Sequence, residues 1–198
     1  MAEKPVVAIF AGSSTPRDPA IMEAAALLGK KLGEAGFDLV YGAGTGGVMG
    51  AVAKAAQAAG AHVTAVVVHQ YRDEEQLPGA TLVNVMAEQE RFDILSTYRS
   101  PVAFFALPGG PGSLRETLQQ LEKGVYEGSP APVILVQVGR YMDGIKQYFD
   151  EAIAAGLIKP DKKDKLKLWP ATGRLADVIP GLKGDDDGIP GLYRGLGR

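Results

Sequence analysis

"LPGGPGSLRETLQQ", residues 107–120, decides the fold. Leu107 ends an apolar run that begins at Val102, and the next six positions hold three glycines and two prolines. Leu114, Leu118, Leu121 and Val125 then recur at helical spacing. The stretch therefore reads as strand, glycine turn, helix. A turn of this kind opens a helix with its N–H groups aimed at whatever lies in front, and that is usually an anion.

Working outward, the same alternation repeats. Val6 to Ala11, Phe37 to Tyr41, Ala61 to Val68, Thr81 to Val85, Val102 to Leu107 and Val133 to Val138 read as strands. Several are apolar throughout, as parallel strands covered on both faces are. Between them, Ile21, Ala25, Leu28, Leu32 and Ala35 form one helical stripe, and Ile145, Phe149, Ala152 and Ile153 form another. Strands alternating with helices predict an α/β protein: a Rossmann-like, doubly wound, mostly parallel sheet with helices on both faces. Residues 1–183 read as a single nucleotide-binding domain, and residues 184–198, "GDDDGIPGLYRGLGR", as a Gly/Asp-rich solvated tail.

Composition narrows the function classes. Apolar residues make up 46% of the chain, which fits a globular domain. A net charge of −2 argues against a protein that grips nucleic acid through phosphates. The chain has no cysteine, so thiolate catalysis and zinc–thiolate sites are excluded. Met1 to Pro5 lead into a strand without a leader pattern, and no apolar run reaches bilayer length. The expectation is a cytoplasmic protein with no membrane partner.

Ligands of such sheets sit beyond the carboxyl ends of the strands. Three loops fall there: "AGSST" (11–15), "YGAGTGGVMG" (41–50) and "LPGGPGS" (107–113). Any one reads equally as a structural turn, but three at one sheet edge point to a shared anion or nucleotide site. "GAGTGG" (42–47) matches G-x-G-x-x-G, yet it follows the second strand and has no acid some 20 residues on, so an NAD site is not expected. Gly29-Lys30 is followed by Lys31, so no phosphate-binding P-loop is present there. His62 and His69 are the only histidines; without a G-x-S-x-G elbow or a matching acid cluster they make neither a triad nor a metal site. No metal and no cofactor are expected.

Glu116 is the candidate carboxylate. It reads as lying in the first turn after the glycine loop and off the leucine stripe. An ordinary first-turn acid would complement the helix dipole; a functional one would face the sugar of a bound phosphate ester. Arg91 and Arg99, in or just after the helix before the fifth strand, are the candidate cations, each otherwise a plain surface charge.

"PGGPGSLRE" (108–116) resembles the P-G-G-x-G-T-x-x-E signature of the Lonely Guy (LOG) family, long labelled "possible lysine decarboxylase". "AIFAGSST", "GFDLVYGAGTGGVMGAVAKAA" and "VGRYMDGIKQYFDEAIAAGLI" are similar to further stretches of that family, so the likeness covers roughly residues 5 to 180. The resemblance implies a cytokinin riboside 5′-monophosphate phosphoribohydrolase, a hydrolase of N-glycosyl bonds. It implies Glu116 and Arg91 as catalytic. It implies Gly12, Ser13, Gly44, Thr45, Gly46, Gly47, Gly109, Gly110, Gly112 and Ser113 as substrate-binding. It also implies a homodimer, with the helix holding Leu118 and Leu121 and the helix before the fifth strand at the interface. The family arginine sits in a Met-x-x-Arg-Lys segment. Here that segment reads Met86 to Phe92, and Arg91 stands two residues further from Pro108 than in the family pattern. A gap-free count puts Asp93 in its place. A two-residue insertion near Tyr98-Arg99-Ser100-Pro101 restores Arg91, with Arg99 as the alternative. Two other readings stay open: a nucleotide or molybdenum-cofactor carrier without turnover, and a general AMP/GMP nucleosidase. A lysine decarboxylase would need a Schiff-base lysine that none of these motifs supplies.

Overall fold

The apolar runs become a seven-stranded sheet in the computed structural model, which describes residues 3–182. The elements in chain order are β1 (Val6–Phe10), α1 (Pro19–Glu34), β2 (Asp38–Tyr41), α2 (Gly47–Ala58), β3 (Val63–Val68), β4 (Thr81–Val85), α3 (Glu88–Thr97), β5 (Ala103–Ala106), α4 (Pro111–Glu122), β6 (Val133–Gln137), α5 (Asp143–Ala154) and β7 (Leu166–Pro170). The strand order is β4-β3-β2-β1-β5-β6-β7, and every pair is parallel. The doubly wound α/β expectation holds. The seventh strand is an addition to the six read from sequence.

Strand β1 is buried along its whole length because both faces are covered. Val7 and Ile9 join the core under α1 and α2. Val6, Ala8 and Phe10 join the opposite core with Phe92, Leu121 and Phe149 from α3, α4 and α5. Helix α1 starts where Asp18 accepts the Ala20 N–H at 3.0 Å and Pro19 takes the first helical position. Its Gly29 and Gly33 are packing residues. A Cβ would stand 2.2 Å from the Val52 carbonyl oxygen at Gly29 and 2.6 Å from that of Ala56 at Gly33, so both let α2 approach closely.

One amphipathic reading inverts in part. Of its stripe, Leu121 is buried and Val125 packs on the core, but Leu114 and Leu118 are exposed, while Ser113, Glu116, Thr117 and Gln120 join Leu121 on the buried face of α4. Glu116 therefore points into the protein. It also lies in the second turn, because Pro111 already begins the helix. The proposed tail, 184–198, lies outside the described residues.

The chain moves outward from β1 to β4, then crosses back to place β5 on β1's other side. Register pairs Phe10 with Ala106, and the Leu107 N–H donates to the Phe10 carbonyl at 2.9 Å. The loops after β1 and β5 thus leave the sheet side by side, at the switch point where such sheets form a crevice.

Candidate active site

Those loops touch. A Cβ on Gly12 would lie 3.0 Å from the Gly109 Cα, and one on Gly109 would lie 2.4 Å from Ser113 Oγ. The loop after β2 completes the floor. Gly47 has φ +54°, and a Cβ there would fall 2.4 Å from the Ser13 carbonyl oxygen, so only glycine lets the two loops pack. Ala43 in the same loop holds φ +69° without that freedom, a mildly strained position. Beneath it, Tyr41 donates its hydroxyl to the Gly44 carbonyl at 3.0 Å, and burial pushes its pKa up to about 12.

The three loops enclose a cavity of about 940 Å³. Gly12, Ser13, Gly44, Thr45, Gly46, Gly109, Gly110, Gly112, Ser113, Arg91 and Glu116 all line it. Gly47 is not on that lining; its role is the loop contact just described. Gly110 and Gly112 differ from their neighbours, because a Cβ on either would meet nothing within 4 Å. The fold does not require glycine at these two positions, and both lie at the N-terminus of α4, where N–H groups and dipole favour an anion.

Arg91, from the first turns of α3, donates through Nη2 to Glu116 Oε1 at 2.7 Å. The side chains are 14% and 6% exposed, so the pair is nearly dry. Gly42 makes room for it: a Cβ there would stand 3.4 Å from Arg91 Nη1. Burial raises the Glu116 pKa above its ordinary value, and this outweighs the opposing pull of Arg91. Glu88, one turn before Arg91, places Oε2 3.0 Å from the same Nη2, and Arg115 Nη2 lies 3.7 Å from that oxygen. Two carboxylates thus share one arginine at the cavity wall. Glu88 escaped the sequence reading because an acid opening a helix looks like a dipole partner.

Arg99 is elsewhere. It donates to Asp38 Oδ2 at 3.0 Å and to the Lys4 carbonyl at 2.7 Å, at the amino edge of the sheet and away from the cavity. Arg99 and Ser100 have φ of +51° and +52°, a left-handed pair at the point where the insertion was expected. Asp93 is exposed and accepts from Gln89 at 2.9 Å.

Two further contributors carried no motif. The polar segment 69–79 reaches the site: Gln70, Tyr71, Glu74, Glu75 and Gln76 line the cavity. Gln76 accepts the Gly44 N–H at 3.4 Å, and Glu75 accepts the Thr45 hydroxyl at 3.1 Å. Tyr141, just before α5, donates to the Gly109 carbonyl. His62 is structural, with its ring nitrogen 3.0 Å from the Thr81 hydroxyl. Among the described residues, no cluster of three or more His, Asp or Glu is arranged to hold a metal, and no helix is long and apolar enough to cross a membrane.

The family model described as "Possible lysine decarboxylase" matches residues 49–179. A probable cytokinin riboside 5′-monophosphate phosphoribohydrolase of Oryza sativa subsp. japonica is 37% identical over 88% of this chain and 72% of its own. A cytokinin riboside 5′-monophosphate phosphoribohydrolase of Arabidopsis thaliana is 35% identical over 78% of this chain and 71% of its own. Among solved structures, the Moco carrier protein of Chlamydomonas reinhardtii superposes with a TM-score of 0.65 at 22% identity, over 89% of this chain and 96% of that one. At that identity the likeness concerns the fold alone.

Proposed function

The chain belongs to the possible lysine decarboxylase, or Lonely Guy, family, and from that premise we propose that it is a phosphoribohydrolase. It hydrolyses the N-glycosidic bond of an N6-substituted adenine nucleoside 5′-monophosphate, releasing the free base, a cytokinin, and ribose 5-phosphate. The names of its relatives support this reading, and the observation that carries it is the Arg91–Glu116 pair at 2.7 Å on the wall of one cavity with the α4 N-terminus.

The phosphate lies before α4, held by N–H groups of the 109–113 turn and by the helix dipole. Binding there is remote from the bond that breaks, so it positions the sugar. Cleavage passes through a ribosyl cation of oxocarbenium character. The base departs with the C–N bond pair and takes up a proton from solvent, while Glu116 stabilises the ribosyl charge and takes a proton from the attacking water; a raised pKa suits a group that must accept a proton near neutral pH. Arg91 fixes the carboxylate, and Glu88 fixes Arg91. The family label fits this chain poorly: pyridoxal phosphate needs a Schiff-base lysine, and no lysine lines the cavity among the described residues. The fold likeness to cofactor carriers does not outweigh these points.

The exposed Leu114 and Leu118 on α4 support the homodimer that the family resemblance implies, and sedimentation tests it. For the activity, the purified protein is incubated with N6-isopentenyl-AMP and with AMP, and free base is followed by chromatography. Release by the native protein, with none from Glu116→Gln that still binds nucleotide, is the expected result. Full turnover by Glu116→Gln would remove that residue from the mechanism.

A further inference from the structure

We propose that Tyr141 is a positioning residue for the phosphate-binding turn, fixing the orientation of the Gly109–Gly110 peptide by engaging the Gly109 carbonyl. The inference rests on the reading of the cavity as a nucleotide site. Tyr141 lies in the segment between β6 and α5, its hydroxyl donates to the Gly109 oxygen, and the residue also lines the cavity. Gly109 O and Gly110 N belong to one peptide unit. In a trans peptide the C=O and the N–H point in opposite directions, and no cis bond occurs among the described residues. A hydroxyl that captures the carbonyl on one side therefore turns the N–H to the other.

The orientation matters because the turn has two faces of opposite sign. A free carbonyl can turn an oxygen lone pair toward the phosphate; one engaged by the Tyr141 hydroxyl has that lone pair satisfied and its peptide dipole held in one direction. Gly109 is packed against Gly12 and Ser113, but Gly110 and Gly112 carry no side chain and a Cβ on either would meet nothing, so packing leaves the Gly109–Gly110 peptide plane loosely set. Tyr141 is placed to tether it.

The tether is itself braced. Gln137 at the end of β6 donates to the Gly139 carbonyl at 2.7 Å and to Asp143 Oδ1 at 2.5 Å, while Arg140 donates to Asp143 Oδ2 at 3.0 Å. The hydrogen bonds from Arg140 and Gln137 hold the Asp143 pKa below its ordinary value. These contacts cross the short segment from both ends and fix Tyr141 between them. Tyr141 is 53% exposed, which a residue kept for core packing would not be.

The test is Tyr141→Phe, which keeps the ring and removes the hydroxyl. Dissociation constants for ribose 5-phosphate, AMP and adenosine are measured by calorimetry on the native and variant proteins. One net hydrogen bond corresponds to a change of roughly twofold to tenfold. The expected result is a loss of that size for ribose 5-phosphate and AMP, with adenosine binding unchanged. Asp143→Asn, which loosens the brace, is expected to shift the same two ligands in the same direction. Equal losses for all three ligands, or none for the phosphate-bearing pair, would overturn the proposal. A native protein that binds ribose 5-phosphate yet cleaves no nucleotide would instead sink the hydrolase reading, and the comparison of Kd values would still decide the role of Tyr141.

Discussion

Replacing Gly112 by alanine separates what the fold needs from what the ligand needs. Gly112 is the second residue of α4, and a Cβ there meets no protein atom within 4 Å. Alanine is favoured over glycine within a helix by about 0.5–1 kcal/mol, so the variant is expected to be as stable as the native protein or more so by up to that amount. For a chain of this length, 1 kcal/mol corresponds to roughly 2–4 °C in Tm. Function should move the other way. The Cα–Cβ bond of a helical residue tilts toward the N-terminus, where the phosphate is proposed to sit. Gly112 also stands four residues before Glu116 and so shares its face. The added methyl group intrudes between phosphate and carboxylate. A displacement of about 1 Å at the reacting centre costs on the order of a hundredfold in rate, so kcat/KM should fall by about tenfold to a hundredfold. Thermal melts and steady-state kinetics on the same preparation give both numbers. Gly109→Ala is the contrast: its Cβ would lie 2.4 Å from Ser113 Oγ and 2.8 Å from the Gly12 nitrogen, so stability should drop by about 1–3 kcal/mol together with activity. A Gly112→Ala protein that melts lower, or that keeps its full kcat/KM, would refute the assignment of this surface to the phosphate.

Two further outcomes concern the carboxylates. The negative charge of Glu88 is one of the causes that raise the Glu116 pKa, so Glu88→Gln should move the acid limb of the kcat/KM–pH profile to lower pH; an unmoved limb would detach Glu88 from the pair. Glu116→Gln should raise thermal stability at pH 7–8, where the native protein keeps a charge buried at this position. The sign follows from linkage. The folded state binds the Glu116 proton more tightly than the unfolded state, so stability is lost as pH rises from the ordinary carboxylate range through the raised value. Glutamine escapes that loss, and Arg91 keeps Glu88 as its partner. The gain should shrink as pH falls toward the unfolded value, and a gain that persists at pH 4 would contradict burial as the cause.

The strands were legible where both faces of the sheet are covered, because burial on two sides leaves apolar residues at every position, as in β1. Strand β7 was not. Leu166–Pro170 lies at the sheet edge, buries only Leu166 and Trp169, and carries Lys167 and Pro170, which a central strand would not tolerate. The glycine loops were legible because three of them follow strands that end at one edge. The segment 69–79 read equally as a loop at the site mouth or a solvated connection, since nothing in Gln70, Glu74 and Glu75 decides between them until the fold brings the segment over Gly44 and Thr45.

Helix α4 shows why periodicity alone can misplace the inner face of a helix. Its leucines mark a stripe that would face the core of a monomer, and Glu116 lies off that stripe. The structure turns the helix so that Glu116, Thr117 and Gln120 are inside and Leu114 and Leu118 outside. Burying a carboxylate is unfavourable unless it is paired, and here the pair is supplied from another element, by Arg91 of α3. Thr117 satisfies its own hydroxyl by donating to the Ser113 carbonyl at 2.7 Å. An inward polar face needs partners distant in sequence, so no local pattern announces it; residues 91 and 116 are 25 apart. The same rotation leaves Leu114 and Leu118 exposed among the described residues, on the back of the helix whose front holds the Arg91-paired carboxylate. Site and surface are therefore two faces of one element. A substitution that relieves the exposure, such as Leu118→Glu, leaves the cavity wall untouched, whereas one that makes the inner face apolar, such as Glu116→Leu, strands Arg91 with Glu88 alone.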